Sequence, residues 1–172
     1  MEKKLDFKTV KKLTRQGSYT INVHLESLKD TIDRYIEKHK LQMNPEFQRG
    51  HVWTENQQIK FVEFILRGGK SQPICFNHND WMTFSRKDSE MFCVDGLQRT
   101  TALLKFLDNK LPVFGGYILS EFENFSLWNF DVEININNLK TREEVLQWYL
   151  DMNSGGTQHT KEELEKVKLL LK

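Results

Sequence analysis

"FCVDGLQRTTALLKFL", residues 92–107, decides the fold. Phe92, Cys93 and Val94 make a short β-prone run, whereas the apolar residues from Leu97 to Leu107 recur at helical spacing. Between them stands Asp95-Gly96, a dipeptide that bends chains. A strand that hands over to a helix this abruptly leaves the first helical amides without an intrahelical partner. Those amides and the positive end of the helix dipole form a ready seat for an anion. Gly96 permits a positive φ or a close backbone approach that side chains resist. Arg99 falls in the first turn, where a guanidinium can grip a phosphate through two parallel hydrogen bonds. Its charge is unfavourable at that end of a helix by about 0.3–1 kcal/mol, so its presence there calls for a nearby anion. Asp95 is expected either to cap the helix or to hold a divalent metal beside the phosphates. A plainer reading stays open at this point: a turn, an N-cap and a solvated arginine. The stretch contains no Walker A pattern.

Outward from this stretch, Leu25, Leu28, Ile32, Tyr35 and Ile36 predict an amphipathic helix over 25–38. Pro45 and Gly50 break that period and mark an extended segment and a turn. Thr54 reads as an N-cap with Gln57 closing a capping box, ahead of a helix that carries Ile59, Val62, Ile65 and Leu66 and stops at Gly68-Gly69. "PICFNHN" and "EMFCVDG" are two short β-prone runs separated by a polar stretch, which predicts a hairpin. "NFDVEININ" alternates over Phe130, Val132, Ile134 and Ile136 as a half-buried strand does. Two further capped helices are expected, at Thr141 with Glu144 and at Thr160 with Glu163. These elements make one α+β domain over 19–172, preceded by a basic extension over 1–18.

A chain of 172 residues is long enough for one real core, and twelve Phe with four Trp supply the bulk. The net charge of +1 argues against a dedicated basic nucleic-acid binder. A local patch exists: Lys3, Lys4, Lys8, Lys11, Lys12 and Arg15 face only Glu2 and Asp6 within the first fifteen residues. That patch reads as a solvated N-terminus or as a weak phosphate contact. No apolar run approaches the ~20 residues that cross a bilayer, and no apolar stretch follows the N-terminal charges as in a secretory signal. Cys75 and Cys93 lie inside apolar runs without metal-binding spacing, which predicts two reduced core thiols and a cytoplasmic chain.

Two other loops carry polar and glycine residues at element junctions. "NPEFQRGHVW", residues 44–53, offers Gln48 and Arg49 between the aromatics Phe47 and Trp53. "MNSGGTQHT", residues 152–160, offers Asn153 and Ser154 beside Gly155 and Gly156, ahead of the last helix. Each also has a plain reading, as a salt-bridged arginine with an anchoring tryptophan and as a C-cap followed by an N-cap. Taken together, the three loops suggest one shared cleft.

The ordered set "PEFQRGHVW", "VDGLQRTTAL" and "MNSGGTQHTKEEL" resembles the DGQQR-motif domain in the N-terminal half of GmrSD-type restriction proteins and SspE-like phage-defence proteins. The likeness runs over about residues 20–170, nearly the whole chain. It implies a ParB/sulfiredoxin-like fold, a small mixed sheet flanked by helices. It also implies a domain that binds a nucleoside triphosphate and in some members hydrolyses it slowly with Mg²⁺. Carried over by position, Gln48, Arg49, Asp95, Gly96, Leu97, Gln98, Arg99 and Thr100 would surround the nucleotide, with Asn153, Gly155 and Gly156 as a second wall. The resemblance gives Asp95, Gln98 and Arg99 the catalytic roles and Asp95 the metal. Leu97 replaces the family's first glutamine, so only its backbone amide can serve there. His159 stands in place of a usual leucine.

Restriction-type relatives carry a second half with an H-N-H nuclease. "NHND", residues 77–80, has the letters of that motif without its spacing. Sulfiredoxin-like reduction is not expected, because no cysteine lies within Gly96–Arg99. Two other functions remain as alternatives. One is a non-catalytic module that binds DNA or a nuclease-bearing partner, using the basic N-terminus and exposed aromatics around Trp53 and Trp81. The other is a metal-dependent ParB-like nuclease, for which Asp95, Glu46 and His51 are the only carboxylate and imidazole set at hand.

Overall fold

The computed structural model describes residues 4–5, 19–48, 50–81, 89–153 and 169–170. Four strands, β1 (Tyr19–His24), β2 (Ile74–His78), β3 (Met91–Asp95) and β4 (Asp131–Asn137), form one sheet in the order β1-β4-β2-β3. β2 and β3 pair antiparallel, as the hairpin reading requires. β4 enters between β1 and β2, antiparallel to the first and parallel to the second, which makes the sheet mixed. The predicted helices are α1 (Leu25–His39), α2 (Glu55–Leu66), α3 (Leu97–Leu107) and α4 (Arg142–Asn153). The helix expected after Thr160 lies outside the described residues, as does all of the basic N-terminal stretch except Lys4 and Leu5.

Strand alternation divides the core in two. Ile74, Phe76, Met91, Cys93, Val132, Ile134 and Ile136 belong to the main cluster with the apolar faces of α1, α2 and α3. Cys75 and Val94 turn the other way and join Phe47 with Val145, Leu146, Trp148 and Tyr149 of α4. Every residue of β2 is therefore buried. This explains why "PICFNHN" reads as a continuous run instead of an alternating one.

Local chemistry fixes the helix ends as expected. Thr54 Oγ1 accepts from the Gln57 amide at 3.3 Å and Gln57 Oε1 accepts from the Thr54 amide at 2.8 Å, so both halves of the capping box form. Glu144 Oε2 likewise accepts from the Thr141 amide at 3.2 Å, and Thr141 Oγ1 from the Glu144 amide at 3.2 Å. One element is additional and two expectations need correction. β1 was not foreseen as a strand; it runs straight into α1 with no turn between them. Ile36 faces solvent, because the buried stripe of α1 is Leu25, Leu28, Thr31, Ile32 and Tyr35. Trp81 is not an exposed contact residue but is 8% exposed, edge-on to Tyr35 and His78 at 5.8 and 5.7 Å. No described helix is long and apolar enough to cross a membrane.

Candidate functional site

The strand-to-helix bend is built as its sequence suggests, with one difference. Cys75 and Phe76 are neighbours on β2, yet their partners on β3 are Asp95 and Cys93, so Val94 is an extra residue that bulges the strand just before the bend. Gly96 follows with φ +105°, and a Cβ placed there would lie 3.1 Å from the backbone of Ile74. Only glycine meets both conditions without strain. Gly96 is the N-cap of α3 and no side chain caps the helix, so Asp95 is not the cap. The first intrahelical bond runs from the Thr100 amide to Gly96 O at 2.9 Å, which leaves the amides of Gln98 and Arg99 without an intrahelical partner.

Asp95 instead pairs with Arg99, one helical turn away. The guanidinium also donates to Gln72 O and, at 3.2 Å, to Pro73 O, and the Arg99 side chain is only 13% exposed. The anion that this cation calls for is thus supplied by the chain itself. Arg99 fastens the segment before β2 to the start of α3. Asp95 Oδ2 takes the guanidinium, while Oδ1 accepts no hydrogen bond among the described residues. One free carboxylate oxygen beside phosphate oxygens fits the sparse protein ligation that Mg²⁺ accepts. Thr100 is fully buried, and Leu97 is 7% exposed, with its side chain in the main core.

Two glutamines join the first two loops. Gln48 Nε2 donates to Cys93 O and Val94 O, both at 3.0 Å. Gln98 works in the opposite direction: its Oε1 accepts from the Val52 and Trp53 amides at 3.0 and 3.1 Å, and its Nε2 donates to Gly50 O at 2.6 Å. Both carboxamides therefore bind backbone. Sequence reasoning singled out the residues but not this use, because a glutamine's partners depend on which segment the fold brings to it. Arg49 itself lies outside the described residues.

The third loop is reached through α4. Phe47 of the first loop packs on Tyr149 with ring centroids 5.3 Å apart, and Val94 shares their cluster. Asn153 ends the helix with its Nδ2 donating to Tyr149 O at 2.7 Å. Gly155 and Gly156 lie outside the described residues.

A cleft of about 480 Å³ opens at the other end of β3, between Glu46, Phe47, Phe92, Asn79, Arg142 and Val145. Among the described residues, none of those expected around the nucleotide lines it, whereas Glu46 of the alternative nuclease set does. Glu46 pairs there with Arg142, away from the bend. Among the described residues no three His, Cys, Asp or Glu side chains are grouped so as to hold a metal, so Asp95, Glu46 and His51 are not gathered as a three-ligand metal set. Both cysteines are free and buried. Burial, reinforced by the Asp95 charge, pushes the Cys75 thiol up to about 12 and raises that of Cys93 as well, which makes both unreactive.

No curated protein and no solved structure matches the chain. The family model described as the GmrSD restriction endonuclease N-terminal domain matches residues 28–131, more than half of the sequence and including both loops that the glutamines join. The chain belongs to the family of GmrSD restriction endonuclease N-terminal domains, and with it to the proteins of restriction systems.

Proposed function

We propose that this chain binds a nucleoside triphosphate at the Asp95–Gly96 bend, as the nucleotide-binding part of a restriction system. The observation that carries the reading is the uncapped start of α3, held on a glycine that backs onto Ile74 and tied to the Gly50–Trp53 loop. The phosphates would lie against the amides of Gln98 and Arg99, with Arg49 as a second cation beside Arg99, which is paired to Asp95. Mg²⁺ would be held by Asp95 and phosphate oxygens. The ParB/sulfiredoxin-like identity of the fold is part of the same proposal.

One observation favours binding without efficient hydrolysis. Gln48, Gln98 and Arg99 are all engaged within the fold, so none is free to orient a water molecule or to follow charge onto a transferred phosphoryl group. A non-catalytic module is therefore the second reading, in which the bound nucleotide controls a DNA or nuclease-bearing partner.

Thermal unfolding with ATP, GTP, CTP or UTP and Mg²⁺ tests the first reading. A ligand at ~100 times its Kd stabilises by about 2.7 kcal/mol, which in a domain of this size raises Tm by roughly 5–10 °C. Arg49→Ala is expected to abolish the rise. Tm unmoved by all four nucleotides would refute the proposal. Phosphate release that disappears in Asp95→Asn would establish hydrolysis over binding alone.

A further inference from the structure

We propose that the Gly50–Trp53 loop is the wall that reads the nucleoside, with Gln98 acting as the positioning residue that holds it. This inference rests on the triphosphate reading above and assigns a part of that site for which the bend itself has no groups. The bend offers amides, which suit phosphates but carry no means of distinguishing a base.

The loop has what the bend lacks. All three partners of the Gln98 carboxamide are in it: the Val52 and Trp53 amides on Oε1 and Gly50 O on Nε2. Beneath this tie, Trp53 packs against the main core and meets Phe61 at 5.4 Å, so the loop is fixed on two sides. Its outer side chains are nevertheless in solvent: His51 is exposed and Val52 is 48% exposed. A single exposed valine is ordinary. One whose backbone is fastened to the second residue of α3 is a pre-ordered apolar contact, and pre-ordering lowers the entropy lost on binding. His51 adds a flat ring. Partial burial and the nearby Lys105 charge lower its pKa, so the ring is neutral at pH 7 and suited to lie on a base. Lys105 is seven residues beyond Gln98, in the last turn of α3, which leaves a cation near His51 on the far side from the bend.

The test compares each nucleoside triphosphate with inorganic tripolyphosphate, both with Mg²⁺, by titration calorimetry on the intact chain. Wild type is expected to bind a triphosphate more tightly than tripolyphosphate. His51→Ala and Val52→Ser, both at exposed positions that tolerate change, should weaken the triphosphate by about tenfold or more and leave tripolyphosphate unchanged. Gln98→Leu should weaken the triphosphate and speed hydrogen exchange at the Val52 and Trp53 amides. Equal affinities of wild type for the two ligands, or equal losses for both in the loop variants, overturn the inference and leave the phosphate seat standing. Wild type that binds neither ligand overturns the triphosphate reading itself, and the loop assignment with it.

Discussion

Arg99 shows how one residue answers a question that its sequence context poses. A cation in the first turn of a helix opposes the dipole, and the compensation comes from Asp95 four residues earlier and from two carbonyls of the segment before β2. Removing it leaves three acceptors without their charged donor, although Gln72 O and the Asp95 carboxylate remain within reach of water. Arg99→Ala should therefore lower the unfolding free energy by about 2–3 kcal/mol, read from the urea midpoint at unchanged slope. Arg99→Lys should recover only part of this, since an ammonium cannot reproduce the planar fork. An unchanged midpoint in Arg99→Ala would show that the guanidinium is not a fastener. The same geometry makes variants of Arg99 and of its partner Asp95 poor probes of binding on their own, because they alter the fold as well.

At the scale of elements, what was legible follows from how local each cause is. α2 begins where Thr54 and Gln57 satisfy each other's amides, and nothing distant is needed. Thr54→Ala should cost about 1 kcal/mol and lower Tm by roughly 2–4 °C, with loss of protection confined to the first turn of α2 in hydrogen exchange. A global loss of protection would contradict a local cap. The hairpin of β2 with β3, the alternation of β4 and the start of α4 were readable for the same reason. β1 was not, although Tyr19, Ile21 and Val23 alternate, because the strand passes into α1 without a turn to mark its end. The insertion of β4 between β1 and β2 leaves no local trace, since its partners are contributed by distant segments. At the candidate site the bend and the Gln-Arg segment could be named, but their connection could not. Gln48 and Gln98 bind carbonyls and amides about 45 residues away, and no spacing rule announces such a partner.

The whole molecule is a sheet closed on one face by α1, α2 and α3 and on the other by α4, and its polar burials set how it responds to acid. His78 is 1% exposed at the end of β2, with its Nδ1 accepting from the Asp80 amide at 3.3 Å and its ring 5.1 Å from that of His39. Burial first, and then the neighbouring imidazole, lowers the pKa of His78 below 6.5; burial and the Arg34 charge lower that of His39. Well above pH 6.5 both rings are neutral in the folded and unfolded chain, and their contribution to stability is constant. As the pH falls below 6.5 the unfolded chain takes up the protons first, so stability declines until the lowered folded-state pKa values are passed. Asp108, held below its usual 3.8 by Lys29 and Lys110, acts in a separate and more acidic window, where its protonation loosens an exposed ion pair. Tm should therefore fall between pH 7 and pH 5. His78→Phe keeps a ring in the Trp81 and His39 cluster but cannot take up a proton, so its Tm should change less over that interval than that of wild type. If the two profiles run parallel, the acid response arises elsewhere, and His78 is an inert part of the core.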